Sequence, residues 1–381
     1  MLVIIICFVS LLLLIHAILI ESYRQWFLKV KPFEDNNDSP KACFSVIIPA
    51  RNEENKIEAC LLTVLQQQYP THLFEVIVVD DFSTDSTPDI VRKLQNKFHY
   101  LKLIQLEKLV YEKQLNSYKK KAIEIAIQQA TGNWIVTTDA DCIITEKWLS
   151  NFDLFIQKND PVFIAAPVKY IDTKSFVSRF QCLDFMSLQG ITAASVQKGF
   201  HSMCNGANLA YKKETFAEVG GFKGIDNIAS GDDMLLMHKI YLQYPQRVKY
   251  LHSQSSIVST EPMATWEAFL NQRIRWASKA DKFQDKRILI VLAFIYLFNL
   301  SLLLLPFIAL FYPILFLYWI GFLLAKTIIE LRFMMPVSTF YNQRKLLWWF
   351  PIMQPFHIIY TVSAGWLGKF GKYSWKGRIV K

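Results

Sequence analysis

Two uninterrupted apolar stretches constrain this chain before any motif is read. Residues 288–325 contain no Asp, Glu, Lys or Arg, whereas a helix needs only ~20 apolar residues to cross the hydrocarbon of a bilayer. One span does not use up the run, and Pro306 and Pro313 supply places to break it, so two helices joined by a tight turn are expected. Residues 3–20 form a second run, uncharged apart from His16. It reads as an anchor, because a cleaved signal has a basic start and a small-residue cleavage site and neither Met1-Leu2-Val3 nor Glu21-Ser22-Tyr23-Arg24 supplies one. A third stretch, residues 346–367, carries Pro351, Pro355 and His357 and either spans or lies at the interface. A full span would leave the cations of residues 369–381 outside, against the positive-inside rule, which favours an interfacial or re-entrant segment.

Five consecutive segments are therefore expected: an anchor over 1–22, a linker over 23–42, an α/β domain over 43–285, transmembrane or interfacial helices over 286–368, and a basic cytosolic tail over 369–381. Lys and Arg outnumber Asp and Glu by 42 to 32. Many of these cations flank the apolar runs (Arg24, Lys29, Lys31, Lys369, Lys372, Lys376, Arg378, Lys381), where they suit anionic lipid headgroups. Membrane lipids, not nucleic acid, are the expected partner of the basic balance. The six cysteines show no C-x-x-C spacing, so neither a zinc site nor a disulfide framework is implied, and reduced thiols fit a cytosolic domain.

Between the apolar ends the pattern alternates. Phe44-Ser45-Val46-Ile47-Ile48 is a β-branched run, followed by a helix-like stretch through Gln68 with Asn52 as its cap. Residues 74–79 predict a strand closed by Asp80-Asp81, and Ser86-Thr87-Pro88-Asp89 opens a helix. Residues 101–106 predict a strand, 120–130 a helix, and 134–138 a strand running into Asp139-Ala140-Asp141. Such alternation predicts a mainly parallel sheet with helices on both faces. Ligands bind outside the carboxyl ends of such strands, and the acids sit there.

Asp139 and Asp141, two residues apart after a strand, can converge on one hard cation such as Mg²⁺ or Mn²⁺, which protein carboxylates commonly share with substrate phosphates. Taken alone, the pair also fits a solvated loop. Gly231-Asp232-Asp233 precedes the apolar Met234-Leu235-Leu236 and suits a helix start, where the dipole favours negative charge. Gln272-Arg273-Ile274-Arg275-Trp276 lies on an expected helix shortly before the membrane. Serine-nucleophile, H-E-x-x-H, phosphate-loop and dinucleotide fingerprints are missing from the sequence.

Asp80-Asp81, Asp139-Ala140-Asp141, Gly231-Asp232-Asp233 and Gln272-Arg273-Ile274-Arg275-Trp276, in this order, together with the strand stretches Ser45-Val46-Ile47-Ile48-Pro49-Ala50-Arg51-Asn52-Glu53-Glu54 and Val76-Ile77-Val78-Val79 before Asp80, resemble the glycosyltransferase 2 family, especially its membrane-bound members such as hyaluronan, chitin and cellulose synthases. The resemblance covers residues 43–279. It implies a GT-A type nucleotide-sugar-binding domain flanked by transmembrane helices. By the same resemblance, Glu53 and Asp81 contact the nucleoside, Asp139 and Asp141 hold the metal on the donor diphosphate, and Lys119 contacts the donor, with Lys120 and Lys121 as adjacent candidates. Asn205-Gly206-Ala207-Asn208 resembles the loop lining the acceptor side, which assigns acceptor contacts to Gly206, Ala207 and Asn208. Asp233 matches the general base and Asp232 assists it. Gln272, Arg275 and Trp276 match the group serving the donor diphosphate and the acceptor sugar.

The implied reaction is an inverting transfer of a hexosyl unit from a nucleotide sugar, expected to be UDP-linked, to a lipid-linked or membrane-proximal glycan acceptor. The implied cofactor is a divalent cation, Mg²⁺ or Mn²⁺. Because nucleotide sugars are cytosolic, the expected location is the inner membrane, multi-pass, with the catalytic domain cytoplasmic; Arg24, Lys29 and Lys31 after the first apolar run agree. Asp232 stands where many relatives carry Glu, and the interval from Asp141 to Gly206 is compact, which weighs against a processive polysaccharide synthase. An inactive relative serving as an assembly subunit is the remaining alternative.

Overall fold

The computed structural model describes residues 2–33, 39–110, 117–200, 203–228, 231–278, 285–370, 373–375 and 378–380. They form two compact units, each gathered from separated stretches of chain: residues 1–29, 171–194 and 262–381 make a helical unit, and residues 30–170 with 195–261 make a unit around a sheet. The described residues of 171–194 and 262–278, expected inside the α/β segment, thus belong to the helical unit.

In the sheet unit the β-branched runs are the central strands. β1 (Phe44–Ala50) pairs in parallel with β2 (Phe74–Asp80) on one side and with β4 (Trp134–Thr137) on the other, and β2 pairs in parallel with β3 (Leu101–Gln105). Every residue of β2 and β4 is buried, which is why these strands read as continuous apolar runs instead of alternating ones. Helices α2 (Ile57–Leu65), α3 (Thr87–Gln95) and α4 (Tyr118–Gln129) lie in the connections. The sheet continues through β5 (Phe163–Ala165), β7 (Leu209–Lys212) and β8 (Val248–Tyr250), in the order β3-β2-β1-β4-β7-β5-β8. β7 runs antiparallel to both β4 and β5, so the sheet is mainly, not wholly, parallel. A two-stranded parallel ribbon joins β6 (Val168–Tyr170) to β9 (Val258–Thr260); α5 (Trp148–Asn159), α7 (Lys213–Glu218) and α8 (Met234–Gln243) complete the unit. The loop entering β4 crosses β1 so closely that a Cβ on Gly132 would lie 2.6 Å from the backbone of Phe44 and Ser45, a gap only glycine leaves open.

One expectation fails here. The helix expected from Asn52 starts only at Ile57. Asn52 instead adopts φ 52°, and its Oδ1 accepts the Thr84 backbone N–H at 2.8 Å, so its capping oxygen is spent on the neighbouring loop.

In the helical unit, α1 (Leu2–Leu28), α10 (Lys286–Ala309) and α11 (Ile314–Phe340) are each long and apolar enough to cross a membrane. α6 (Phe176–Lys198), α9 (Trp266–Ala277) and α12 (Phe350–Phe370) are the other long helices with residues in it. Val9 and Leu12 of α1, Phe298 and Leu302 of α10, Leu315 of α11 and Ile358 of α12 share one apolar cluster. The break in the long apolar run falls at residues 310–313, with Pro313 as the residue before α11, while Pro306 stays inside α10. α11 runs well past residue 325. Lys326 and Glu330, one turn apart, neutralise each other at 2.7 Å, so the charges that end the apolar run do not end the helix. α12 is not among the helices apolar enough to span. β10 (Tyr373–Trp375) and β11 (Arg378–Val380) form an antiparallel pair. Lys372, Lys376 and Lys381 of the expected tail, and residues 34–38 of the expected linker, lie outside the described residues.

Candidate active site

From β1 the chain moves outward to β2 and β3, then returns to β4 on the other side of β1. The strand order reverses between β1 and β4, and the crevice at such a reversal, beyond the carboxyl ends of the strands, is where open α/β sheets bind ligands. The loops after β1 and β2 are knitted together there. Asp81 N donates to Ala50 O at 2.8 Å, Arg51 Nη1 donates to the carbonyls of Asp81 and Phe82 at 2.8 and 3.2 Å, and Glu53 N donates to Thr87 Oγ1 at 2.8 Å. Glu53 and Asp81 therefore sit on adjoining loops, Glu53 half-buried and Asp81 buried. Asp80, one residue earlier, is buried, and burial pushes its carboxyl above the usual range.

β4 delivers the next pair. Asp139 and Asp141 follow its end and are both half-buried. Thr137 Oγ1 donates to Gly206 O at 2.8 Å, which hangs the Gly206 loop on the same strand end. Lys119, in the first turn of α4, reaches Asp139 Oδ1 at 2.7 Å and Asp232 Oδ2 at 3.3 Å. Asp233 caps α8: its Oδ1 accepts from Met234 N at 2.7 Å and its Oδ2 from Gly206 N at 3.1 Å. A Cβ on Gly206 would lie 3.2 Å from both Asp232 Oδ2 and Lys119 Nζ. Residues scattered along the chain, Lys119, Asp139, Gly206, Asp232 and Asp233, are thus gathered at one point.

The field at this point is negative. Burial, and then the nearby Asp141 and Asp139 carboxylates, push the Cys60 and Cys142 thiols up. Burial pulls the Lys119 ammonium down, but Asp139, Asp232 and Asp233 outweigh it and hold it above its ordinary value, so Lys119 carries a positive charge throughout the physiological range. Lys120 turns away and is buried, its Nζ donating to Ile225 O and Ile228 O at 2.7 and 2.6 Å. Lys121 pairs with Glu124 at 2.8 Å. Of the three adjacent lysines left open by the sequence, Lys119 is the one at the carboxylate cluster.

The donor set also bears on a metal. Among the described residues no group of three or more His, Cys, Asp or Glu side chains is placed to hold a metal ion by itself. Two reachable carboxylates, Asp139 and Asp141, fit a Mg²⁺ or Mn²⁺ ion whose remaining ligands are phosphate oxygens and water.

On the acceptor-side loop the residues differ. Ala207 is buried, and Asn208 is fully enclosed: its Oδ1 accepts from Trp148 Nε1 at 2.8 Å, and its Nδ2 donates to Pro167 O and Ser256 O at 2.7 and 2.9 Å. Asn208 therefore braces the loop, and Gly206 is the member that meets the carboxylates. In the helical unit, Gln272, Arg275 and Trp276 share one face of α9 and are each half-buried, while Phe269, Arg273 and Ile274 are buried. The bracing role of Asn208 and the loop contacts of Lys120 had no signal in the sequence, since their partners, backbone carbonyls in each case and the Trp148 indole N–H for Asn208, are brought within reach only by the fold.

With this geometry in hand, known proteins supply a frame. The profile of "Glycosyl transferase family 2" matches residues 45–220, and that of "Glycosyl transferase family group 2" matches residues 134–367, more than half of the chain. A probable glycosyltransferase, YdaM, of Bacillus subtilis is 26% identical over 70% of this chain and 62% of its own length. Poly-beta-1,6-N-acetyl-D-glucosamine synthase of Staphylococcus epidermidis is 24% identical over 68% of this chain and 61% of its own length. The chain thus matches less than two thirds of either relative. In fold, it resembles the mannosyltransferase PcManGT from Pyrobaculum calidifontis, solved with GDP-Man and Mn²⁺, at a TM-score of 0.59 and 20% identity over 94% of this chain and 99% of that one.

Proposed function

The chain belongs to glycosyltransferase family 2, and from that premise we propose that it is an inverting, metal-dependent transferase that moves a hexosyl unit from a nucleoside-diphosphate sugar, UDP-linked in the first instance, to a lipid-linked or membrane-proximal glycan. One observation carries the reading: Lys119 bridges Asp139, at the end of β4, and Asp232, at the start of α8, beside Gly206 and Asp233.

In this reading the acceptor hydroxyl loses its proton to Asp233 as its oxygen attacks the anomeric carbon and the carbon–phosphate oxygen bond breaks. Asp233 is suited to the task because each carboxylate oxygen accepts one backbone N–H and keeps a second lone pair. Those two bonds fix its orientation before substrate arrives. Lys119 offers a permanent positive charge to the diphosphate as negative charge grows on it. Asp139 and Asp141 would hold a divalent cation, which when bound supplies further charge neutralisation to the leaving group. Glu53 and Asp81 would meet the nucleoside at the β1 and β2 loops, and Gln272, Arg275 and Trp276 would serve the diphosphate and the acceptor sugar.

The location follows the same logic. With α1, α10 and α11 in the inner membrane, Arg24, Lys29 and Lys31 keep the catalytic unit on the cytoplasmic side, where nucleotide sugars are made. The test is a screen of UDP- and GDP-linked sugars against the detergent-purified full chain with and without Mn²⁺. Metal-dependent release of nucleoside diphosphate from one of them is the expected result, and the absence of turnover with every donor sinks the reading. The lengths of labelled products then separate single transfer from polymer synthesis.

A further inference from the structure

α9 bears Gln272, Arg275 and Trp276 on one face, but the residue between them is the one the helical unit seizes. Arg273 is buried, and its guanidinium carbon lies 4.2 Å from the centroid of the Trp276 ring and 4.8 Å from that of Phe269. Its Nη2 pairs with Asp184 Oδ2 of α6 at 2.5 Å. Asp184 is itself buried, and its other oxygen, Oδ1, accepts a hydrogen bond from the Tyr360 hydroxyl of α12, with His357 Nε2 3.9 Å from that Oδ1. Phe180 of α6 meets Phe269 of α9 and Tyr360 of α12 edge-on, with ring centroids 5.5 and 5.7 Å apart. Three helices therefore close on one carboxylate, and the cation they hold there lies against one face of a half-buried tryptophan.

A buried ion pair contributes little net stability over an apolar pair of the same volume, because both charges are stripped of water. What it does supply is geometry: the guanidinium is planar, and a carboxylate that pairs with it fixes the orientation of that plane. A plane stacked on an indole fixes the indole in turn. We propose that Asp184 and Arg273 are positioning residues that set the orientation of the Trp276 ring, with Tyr360 holding Asp184 in place, so that the indole is presented in one fixed pose to the acceptor sugar. The inference rests on the proposed function, in which Trp276 meets the acceptor. Neither Asp184 nor Arg273 touches a substrate in it.

The experiment uses native membranes in which the full chain is overproduced, incubated with radiolabelled UDP-N-acetylglucosamine, UDP-glucose, UDP-galactose and GDP-mannose. Label incorporated into membrane glycan or glycolipid reports transfer, and label released as free sugar reports attack by water. Arg273→Lys keeps the charge and loses the planar fork; it is expected to lower the ratio of transfer to hydrolysis about 10- to 100-fold, the scale at which small misplacements act, while total donor consumption changes little. Asp184→Asn shifts the ratio in the same direction. Tyr360→Phe, which leaves both charges in place, gives a smaller shift of the same sign. The decisive readout is a double-mutant cycle: in a Trp276→Ala background, Arg273→Lys is expected to add nothing further, because the pair acts through the ring it has lost. Equal losses of transfer and hydrolysis, or effects of Arg273→Lys and Trp276→Ala that multiply independently, overturn the inference and leave the function standing. If the wild type neither incorporates nor releases label above the Asp233→Asn variant, the function itself falls, and this inference with it.

Discussion

In the sheet unit, 38% of the Asp139 side chain remains in solvent and 22% of Lys119, whereas in the helical unit Arg273 keeps 4%, Asp184 2% and Lys326 none. Both units hold their charges in pairs, yet they hold them for opposite ends. At the carboxyl edge of the sheet, several acids crowd around one lysine and stay reachable, an arrangement that costs folding energy through mutual repulsion and leaves valence for a ligand. Among the helices, cations and acids are matched and sealed: Lys326 with Glu330 and Gln354 at 2.7 Å each, Arg273 with Asp184. Under the proposed function, the reachable surplus charge is where substrate would bind. Sealed, matched charge sits inside the helical packing, within α11 for Lys326 and Glu330 and between α9 and α6 for Arg273 and Asp184.

That contrast breaks first at Asp233. Its replacement by Asn removes the proposed base without changing shape, so the rate of transfer is expected to fall about 10²- to 10⁴-fold while the thermal midpoint stays close to the wild type or rises; a variant that transfers at the wild-type rate removes the distinction between the two sets of charges. The next effect is on stability. Lys326→Met leaves Glu330 enclosed without its nearest cation, which is expected to cost about 3–5 kcal/mol, read as lost unfolding free energy in detergent. Lys326→Met combined with Glu330→Gln should recover most of it, and a double variant as unstable as the single one shows that matching is not what the pair supplies.

A third test sharpens the comparison inside the sheet unit, where His252 is buried. Burial lowers its imidazole from the usual 6.5 to about 4. The unfolded chain therefore takes up the proton first as pH falls, so stability is full above ~6.5 and declines through the window down to about 4, by at most roughly 3.5 kcal/mol. His252→Gln should flatten that decline in denaturation curves recorded between pH 7 and pH 4; an unchanged slope assigns the acid sensitivity to other groups. The smallest effect is expected where pairing is exposed. Lys56 and Glu261 meet at 2.9 Å with 40% and 55% of their side chains in solvent, and Glu261→Gln should change stability by less than about 1 kcal/mol. A larger loss in that measurement would mean that exposure is a poor guide to what a charge does here.

Much of this was legible before the fold was known. β1, β2 and β4 announce themselves as β-branched runs because they are buried on both faces, and the acids after β2 and β4 lie at the carboxyl ends of those strands, as the sequence placed them. The short strands β5, β6, β8 and β9, three residues each, are too brief to show a period, and the reversed direction of β7 leaves no trace in composition. Asn52 misled because a cap and a loop brace use the same side-chain oxygen. Lys326 and Glu330 misled because a charge pair one helical turn apart looks, residue by residue, like the end of an apolar segment. Asp184 was silent: an acid becomes informative only once its arginine, distant in the chain, is known to face it.

His16 of α1 and Glu330 of α11 lie 3.0 Å apart although they are 314 positions apart in the chain. Ribosomes add about 5–20 residues per second, so on the membrane reading the first helix waits roughly 15 to 60 s with a polar imidazole in lipid before its partner is made. During that interval the nascent protein carries a visible mark of incompleteness. Chains cut short before residue 330 never make that partner at all.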